Sequence, residues 1–165
     1  MILLIAATQQ GKTTKCKAII KDKPCLVFDV NGEYDDLSDD ANDDRCRYFS
    51  ENVKDFLNIV PHKHGGTVCV FEEATGFFAG ATQKDTKKII VGKRHPVARG
   101  GRNLIFVFHS IQSVPPFLLS TADVIILGKT GDEYRQVKAK ASKLLAPFVR
   151  LQKSPQYSFL NIKNI

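Results

Sequence analysis

Five short runs along the chain are almost continuously apolar and rich in Val, Ile and Phe: residues 2–6, 25–29, 68–72, 104–109 and 123–128. None alternates between apolar and polar positions. Strands buried on both faces read this way, as in a parallel sheet covered by helices. A sixth run, 157–162, alternates in part and predicts an edge strand. The intervening segments carry helical signals. Residues 12–21 follow the first strand. Residues 51–60 space their apolar positions near 3.6, with Ser50 as N-cap. Residues 82–94 predict a third helix capped by Thr82, and 133–146 a fourth that Pro147 ends. Strand and helix alternate, which predicts an α/β doubly wound sheet. A length of 165 residues suits one domain spanning 1–165.

Composition narrows the class. Hydrophobic residues make up 43% and charged residues 25%, the balance of a globular chain rather than a disordered one. No apolar run approaches the ~18–20 residues of a transmembrane helix. The apolar N-terminal run is too short for a signal peptide and lacks a preceding basic region. Cys16, Cys25, Cys46 and Cys69 form no CxxC pair and match no zinc spacing, so they read as reduced thiols. A cytoplasmic location is expected.

Charge changes the picture again. The net charge is +7, yet residues 29–55 hold ten acids against three bases. The rest of the chain is therefore strongly basic, concentrated in 84–102 (seven bases, one Asp) and 129–163 (eight bases, two acids). Such stretches suit phosphate tracking without base readout. Segment 35–44 has six Asp in ten residues and reads as a solvated loop; a cation site or a DNA-repelling flap is the sharper alternative, although the spacing is not that of a calcium loop.

Three motifs carry chemistry. Ala6-Ala7-Thr8-Gln9-Gln10-Gly11-Lys12-Thr13-Thr14 lies where a strand ends and a helix begins. It is the P-loop pattern G-x-x-x-x-G-K-[ST] with Ala6 in place of the first glycine. Backbone amides of such a loop wrap phosphates, helped by the helix dipole. Gly11 allows close approach, Lys12 reaches the β- and γ-phosphates, and the Thr13 hydroxyl joins a Mg²⁺ shell. Ala6 is expected to restrict the loop, because Ala tolerates positive φ poorly. The second motif is Val68-Cys69-Val70-Phe71-Glu72-Glu73, an apolar strand ending in paired carboxylates, one for the Mg²⁺ shell and one beside an attacking water. The third is Asp29-Val30-Asn31-Gly32-Glu33-Tyr34, at the end of the second strand.

A second strand ending in Asp-x-x-Gly-Glu-Tyr, followed by paired acids after the third, resembles the FtsK–HerA superfamily of DNA-pumping ATPases, especially its HerA-like branch. The resemblance covers residues 1 to about 130. It implies a P-loop NTPase sheet in spatial order 5-1-4-3-2 with helices on both faces, and the substrate at the carboxyl ends of its strands. That family ends its fourth strand in a polar sensor, usually Gln, before a stretch like Val114-Pro115-Pro116. Counting back places His109 at the sensor, with Gln112 as the other candidate. An arginine before the fourth strand acts across a subunit boundary in such proteins. Arg94, Arg99 and Arg102 are available, and Arg94-His95 matches best.

The resemblance thus implies ATP and Mg²⁺ as cofactors, held by residues 6–14, with Thr13 and Glu72 on the metal. Lys12, Glu73 as base, His109 as sensor and Arg94 as finger would be catalytic. It further implies double-stranded DNA as partner, a homo-oligomeric ring, and a capsid vertex or portal-like protein as anchor. Among its branches, the compact viral genome-packaging ATPases fit the length best, which adds a virion-associated location to the cytoplasmic one. Ala6, Glu72 and His109 depart from the usual residue types. The alternatives are a nucleotide-binding switch and a filamentous-phage-type assembly ATPase. A nucleotide or small-molecule kinase fits the length but not the second and third motifs.

Overall fold

The computed structural model describes residues 1–63, 65–80, 82–92 and 103–163. Its strands are β1 (Ile2–Ile5), β2 (Cys25–Phe28), β3 (Arg45–Tyr48), β4 (Val68–Phe71), β5 (Asn103–Phe108), β6 (Val124–Leu127) and β7 (Leu160–Lys163). Its helices are α1 (Lys12–Ile20), α2 (Val53–Ile59), α3 (Thr82–Gly92), α4 (Pro116–Thr121), α5 (Tyr134–Lys140) and α6 (Leu145–Gln152). The sheet order is β3-β2-β4-β5-β1-β6-β7. The five strands expected from apolarity, β6-β1-β5-β4-β2, therefore lie in the expected 5-1-4-3-2 order. One further strand flanks them on each side.

The chain divides into two compact units, residues 1–16 with 106–165, and residues 17–105. In the first, β1 pairs in parallel with β6, Leu3 opposite Ile125 and Ile5 opposite Leu127. β7 pairs antiparallel with β6, Leu160 opposite Leu127. An antiparallel edge on a parallel sheet is common, since a short return suffices. In the second unit β2 pairs in parallel with both β3 and β4. All four residues of β2 and of β4 are buried, which is why neither alternates. Phe28, Phe56, Phe71 and Phe77 pack edge-to-face or tilted at centroid distances of 4.9–5.8 Å and form this unit's core. Such geometry suits the ring quadrupoles.

Several local expectations are corrected. β3 was not expected: its sequence RCRY buries only Cys46 and lies beside the acidic segment, so no apolar run marks it. The N-cap of α2 is Asn52, whose side-chain oxygen accepts the Asp55 amide; Ser50 instead accepts the Asn52 amide at 3.0 Å. Thr82 is the first helical residue of α3, and its hydroxyl donates backwards to the Ala79 carbonyl at 2.7 Å. The fourth predicted helix breaks at Ala141. Pro147 does not end it but sits in the first turn of α6, where a helix has no use for an amide hydrogen. α4 had no predicted counterpart.

Candidate functional site

In the first unit the P-loop is tied to both neighbouring strand ends. The Ala6 amide donates to the Phe108 carbonyl at 3.1 Å, and the Ala7 amide to the Lys129 carbonyl at 2.7 Å. The loop then turns through two left-handed residues, Gln9 (φ +59°) and Gly11 (φ +75°), and enters α1 at Lys12. Lys12 is buried. Its Nζ donates to the Ala7 carbonyl at 3.0 Å and stands 3.1 Å from His109 Nδ1. An ammonium has only donors, so Nδ1 accepts and the ring carries its proton on Nε2. Thr8 Oγ1 is 3.3 Å from the same nitrogen. His109, and not Gln112, is thereby joined to the loop. The backbone of Gln112 bonds elsewhere: its main-chain amide donates to the Asp132 carboxylate at 3.2 Å beside that of Ile111 at 2.8 Å, its main-chain carbonyl accepts from Lys140, and its side-chain Nε2 is buried with no hydrogen-bond partner among the described residues.

The backbone at Ala6 is not left-handed, so the expected conformational restriction does not arise. The constraint there is space. A Cβ on Gly128, at the end of β6, would lie 2.8 Å from the Ala6 methyl. Gly128 supplies the room that the P-loop's first glycine would otherwise leave. Tyr157, on the turn before β7, closes in on Gly11, its Cδ1 3.3 Å from where a Cβ would stand.

The second unit holds the other two motifs together. Asp29 is buried at the end of β2, and its carboxylate accepts the Glu33 amide at 2.9 Å and the Tyr34 amide at 3.0 Å. Arg47, on β3, reaches the same carboxylate at 3.4 Å. Gly32, at φ +69°, makes the turn between them possible. The closed turn delivers Tyr34 into the interior, where its hydroxyl donates to Glu72 Oε1. The Asp-x-x-Gly-Glu-Tyr run is thus a bracket that positions Glu72, itself buried just after β4. Glu73 follows in a left-handed conformation (φ +50°, ψ +46°) that opens a 3₁₀ turn over Ala74–Phe78. A residue with a Cβ held there costs about 1 kcal/mol or more, and such strain clusters at functional sites.

The acidic segment is pinned rather than merely solvated. Lys17 pairs with Asp36 at 2.8 Å, Arg47 with Asp39 at 2.8 Å, and Lys63 donates to the Asp43 carbonyl at 3.1 Å. Among the described residues no group of three or more His, Cys, Asp or Glu side chains could hold a metal. Arg94, Arg99 and Arg102 lie outside the described residues. The bases of 129–163 include exposed Arg135 and Lys138, and exposed Lys84, Lys87 and Lys88 belong to the second unit. No helix among the described residues is long and apolar enough to cross a membrane.

No protein-family model and no curated protein sequence matches the chain. Solved structures do. The genome packaging NTPase B204 from Sulfolobus turreted icosahedral virus 2, in complex with AMP, has a TM-score of 0.76 at 18% identity, covering 99% of this chain and 91% of that one. Its complex with ATP-gammaS gives 0.77 at 19% identity, with the same coverage. B204, the DNA-packaging ATPase from Sulfolobus turreted icosahedral virus, gives 0.78 at 19%, covering 98% and 91%. The fold is that of these P-loop NTPases, as the motif order implied.

Proposed function

We propose that this chain is an ATP-hydrolysing motor that moves double-stranded DNA, of the viral genome-packaging type. The observation that carries the reading is the P-loop itself: a buried Lys12 at the mouth of α1, in contact with His109, on a fold shared with packaging NTPases. Phosphoryl transfer asks the protein mainly for positioning and charge neutralisation. In this reading the amides of residues 8–13 and the Lys12 ammonium hold the phosphates. Glu73 takes the proton of a water attacking the γ-phosphorus, and ADP leaves with its phosphate charge held by Lys12. His109 senses the γ-phosphate through Lys12 and Thr8. The Thr13 hydroxyl and the Glu72 carboxylate, hard oxygen donors of the kind Mg²⁺ accepts, would hold the metal. When bound it neutralises charge developing on the phosphates.

The finer features belong to the same reading. Arg94 of a neighbouring subunit completes each site of a homo-oligomeric ring, and the bases of 84–102 and 129–163 track duplex phosphates. A capsid vertex or portal-like protein anchors the ring, which places the motor in the host cytoplasm or on the virion. ATP hydrolysis measured with and without duplex DNA tests the proposal. Stimulation by DNA, lost in Lys12→Ala and in Glu73→Gln, is the expected result. ATP binding with no hydrolysis under either condition would replace the motor by a nucleotide-binding switch.

A further inference from the structure

The P-loop accounts for the phosphates of a nucleotide and leaves its base unassigned. Three observations in the first unit bear on that base. Tyr157 is 61% exposed, although its ring edge lies 3.3 Å from the Cβ position of Gly11. It is held at φ +62°, in the left-handed region where a bulky residue is an outlier. The same segment brings Phe159 to the first turn of α1, its ring 5.9 Å from Lys15 Nζ, and against Gly128. The turn from residue 157 to 159 therefore sets two aromatic rings beside the residues that open α1. Burial does not explain Tyr157, since the residue is mostly exposed. Core packing would not hold a tyrosine in that backbone conformation.

We propose that Tyr157 is the nucleobase platform of this site: it stacks on the base of a nucleoside triphosphate whose phosphates lie in the P-loop. The proposal rests on the P-loop reading above and extends it to the part of the ligand that the loop cannot recognise. In this proposal the nucleoside leaves the loop over the first turn of α1, where Tyr157 meets Gly11 and Phe159 meets Lys15. The missing side chain of Gly11 is what lets the ring come so close. Stacking reads a π-face and not a hydrogen-bonding edge, so the platform serves adenine and guanine alike.

Calorimetric titration of the full-length chain with ATP, GTP and inorganic tripolyphosphate, each with Mg²⁺, tests this. Tyr157→Ala and Tyr157→Leu should bind ATP and GTP about tenfold more weakly, the factor that about 1.4 kcal/mol of stacking supplies. Tripolyphosphate should bind both variants as it binds the wild type. Tyr157→Phe should keep wild-type affinity for all three. The leucine variant keeps the bulk over Gly11 without a π-face, so a purely steric role would leave it unaffected. Equal weakening of all three ligands, or unchanged ATP affinity in the alanine and leucine variants, overturns the platform and leaves the P-loop reading intact. A wild type that binds neither ATP nor tripolyphosphate overturns both.

Discussion

Gly128 and Ala6 should behave as one unit. A Cβ on Gly128 would stand 2.8 Å from the Ala6 methyl and 2.8 Å from Phe159 Cε1. Real Cβ contacts are not that short, so Gly128→Ala must displace something. Overpacking of this kind costs about 1–3 kcal/mol, and about 2 is expected here. Ala6→Gly alone removes a fully buried methyl, worth about 0.8 kcal/mol, and adds glycine's unfolded-state freedom, another 0.5–1 or so. The two singles therefore sum to about 3.5 kcal/mol. In the double variant the methyl of residue 6 that the new Cβ would strike is gone, so the steric cost is relieved and the cost of Ala6→Gly remains. Phe159 is only half-buried and can give way. The double should cost about 1.5 kcal/mol, a coupling of about 2, within the range of contacting residues. Urea unfolding of the four proteins at constant slope measures it. Additive singles, within about 0.5 kcal/mol, would refute the reasoning that Gly128 makes room for Ala6.

Tyr34→Phe removes a hydroxyl donor from a buried carboxylate and should cost about 1–3 kcal/mol; an unchanged urea midpoint would contradict the bracket on Glu72. Glu73→Gly should relieve the left-handed backbone at φ +50° and raise stability by about 0.5–1 kcal/mol, while Glu73→Ala should not, and neither should hydrolyse ATP. Stability equal in the two variants would show that the backbone is not strained there. The hydrogen bond from Lys17 holds the Asp36 carboxyl below its usual 3.8 despite a smaller opposing effect of burial. A carboxylate with a depressed pKa stabilises the fold above its unfolded value and loses that contribution as pH falls through the folded one. The stability gap between wild type and Asp36→Asn should thus be present above pH 3.8 and close below it. With Asp36 55% exposed, the gap stays under about 1 kcal/mol, and a gap that widens in acid would reverse the assignment.

The central strands were legible because burial on both faces leaves a continuous apolar record. β2 and β4 carry it in every residue. β3 was illegible for the opposite reason: Arg45 and Arg47 reach across to carbonyls and carboxylates, so an edge strand was written in charged residues. Local spacing also pointed to the P-loop, and the resemblance, counted back from Val114, picked out His109, whose ring meets Thr8 and Lys12. It could not find Gly128 or Tyr157, which meet residues 6 and 11 only through the fold and sit in no local pattern. Nor could it show that Tyr34 serves Glu72, since 38 residues separate them. The Asp-x-x-Gly-Glu-Tyr run was recognisable, but its work as a bracket is a property of three dimensions. Pro147 misled because proline stops a helix interior and suits a helix start equally well, and only the break at Ala141 decides between them.

The three departures from the usual motor pattern bear on whether the site hydrolyses or only binds. A site released from catalysis has no reason to retain costly features, and each departure here comes with a fitted partner. Ala6 is matched by Gly128, which would otherwise collide with it. Glu72 is longer than the usual aspartate, and its extra reach is taken up by a buried Tyr34 hydroxyl. His109 stands where the resemblance expects an amide, and its Nδ1 lies 3.3 Å from Thr8 Oγ1 and 3.1 Å from Lys12 Nζ. The expensive features also persist. Lys12 is held in a buried position, and Glu73 keeps a backbone conformation that a glycine would adopt freely. Strain of that kind survives where the surroundings over-determine it, most often where the residue acts. On the proposed reading each departure is accommodated by its own neighbours, and the two costly features stand at residues to which that reading gives the chemistry.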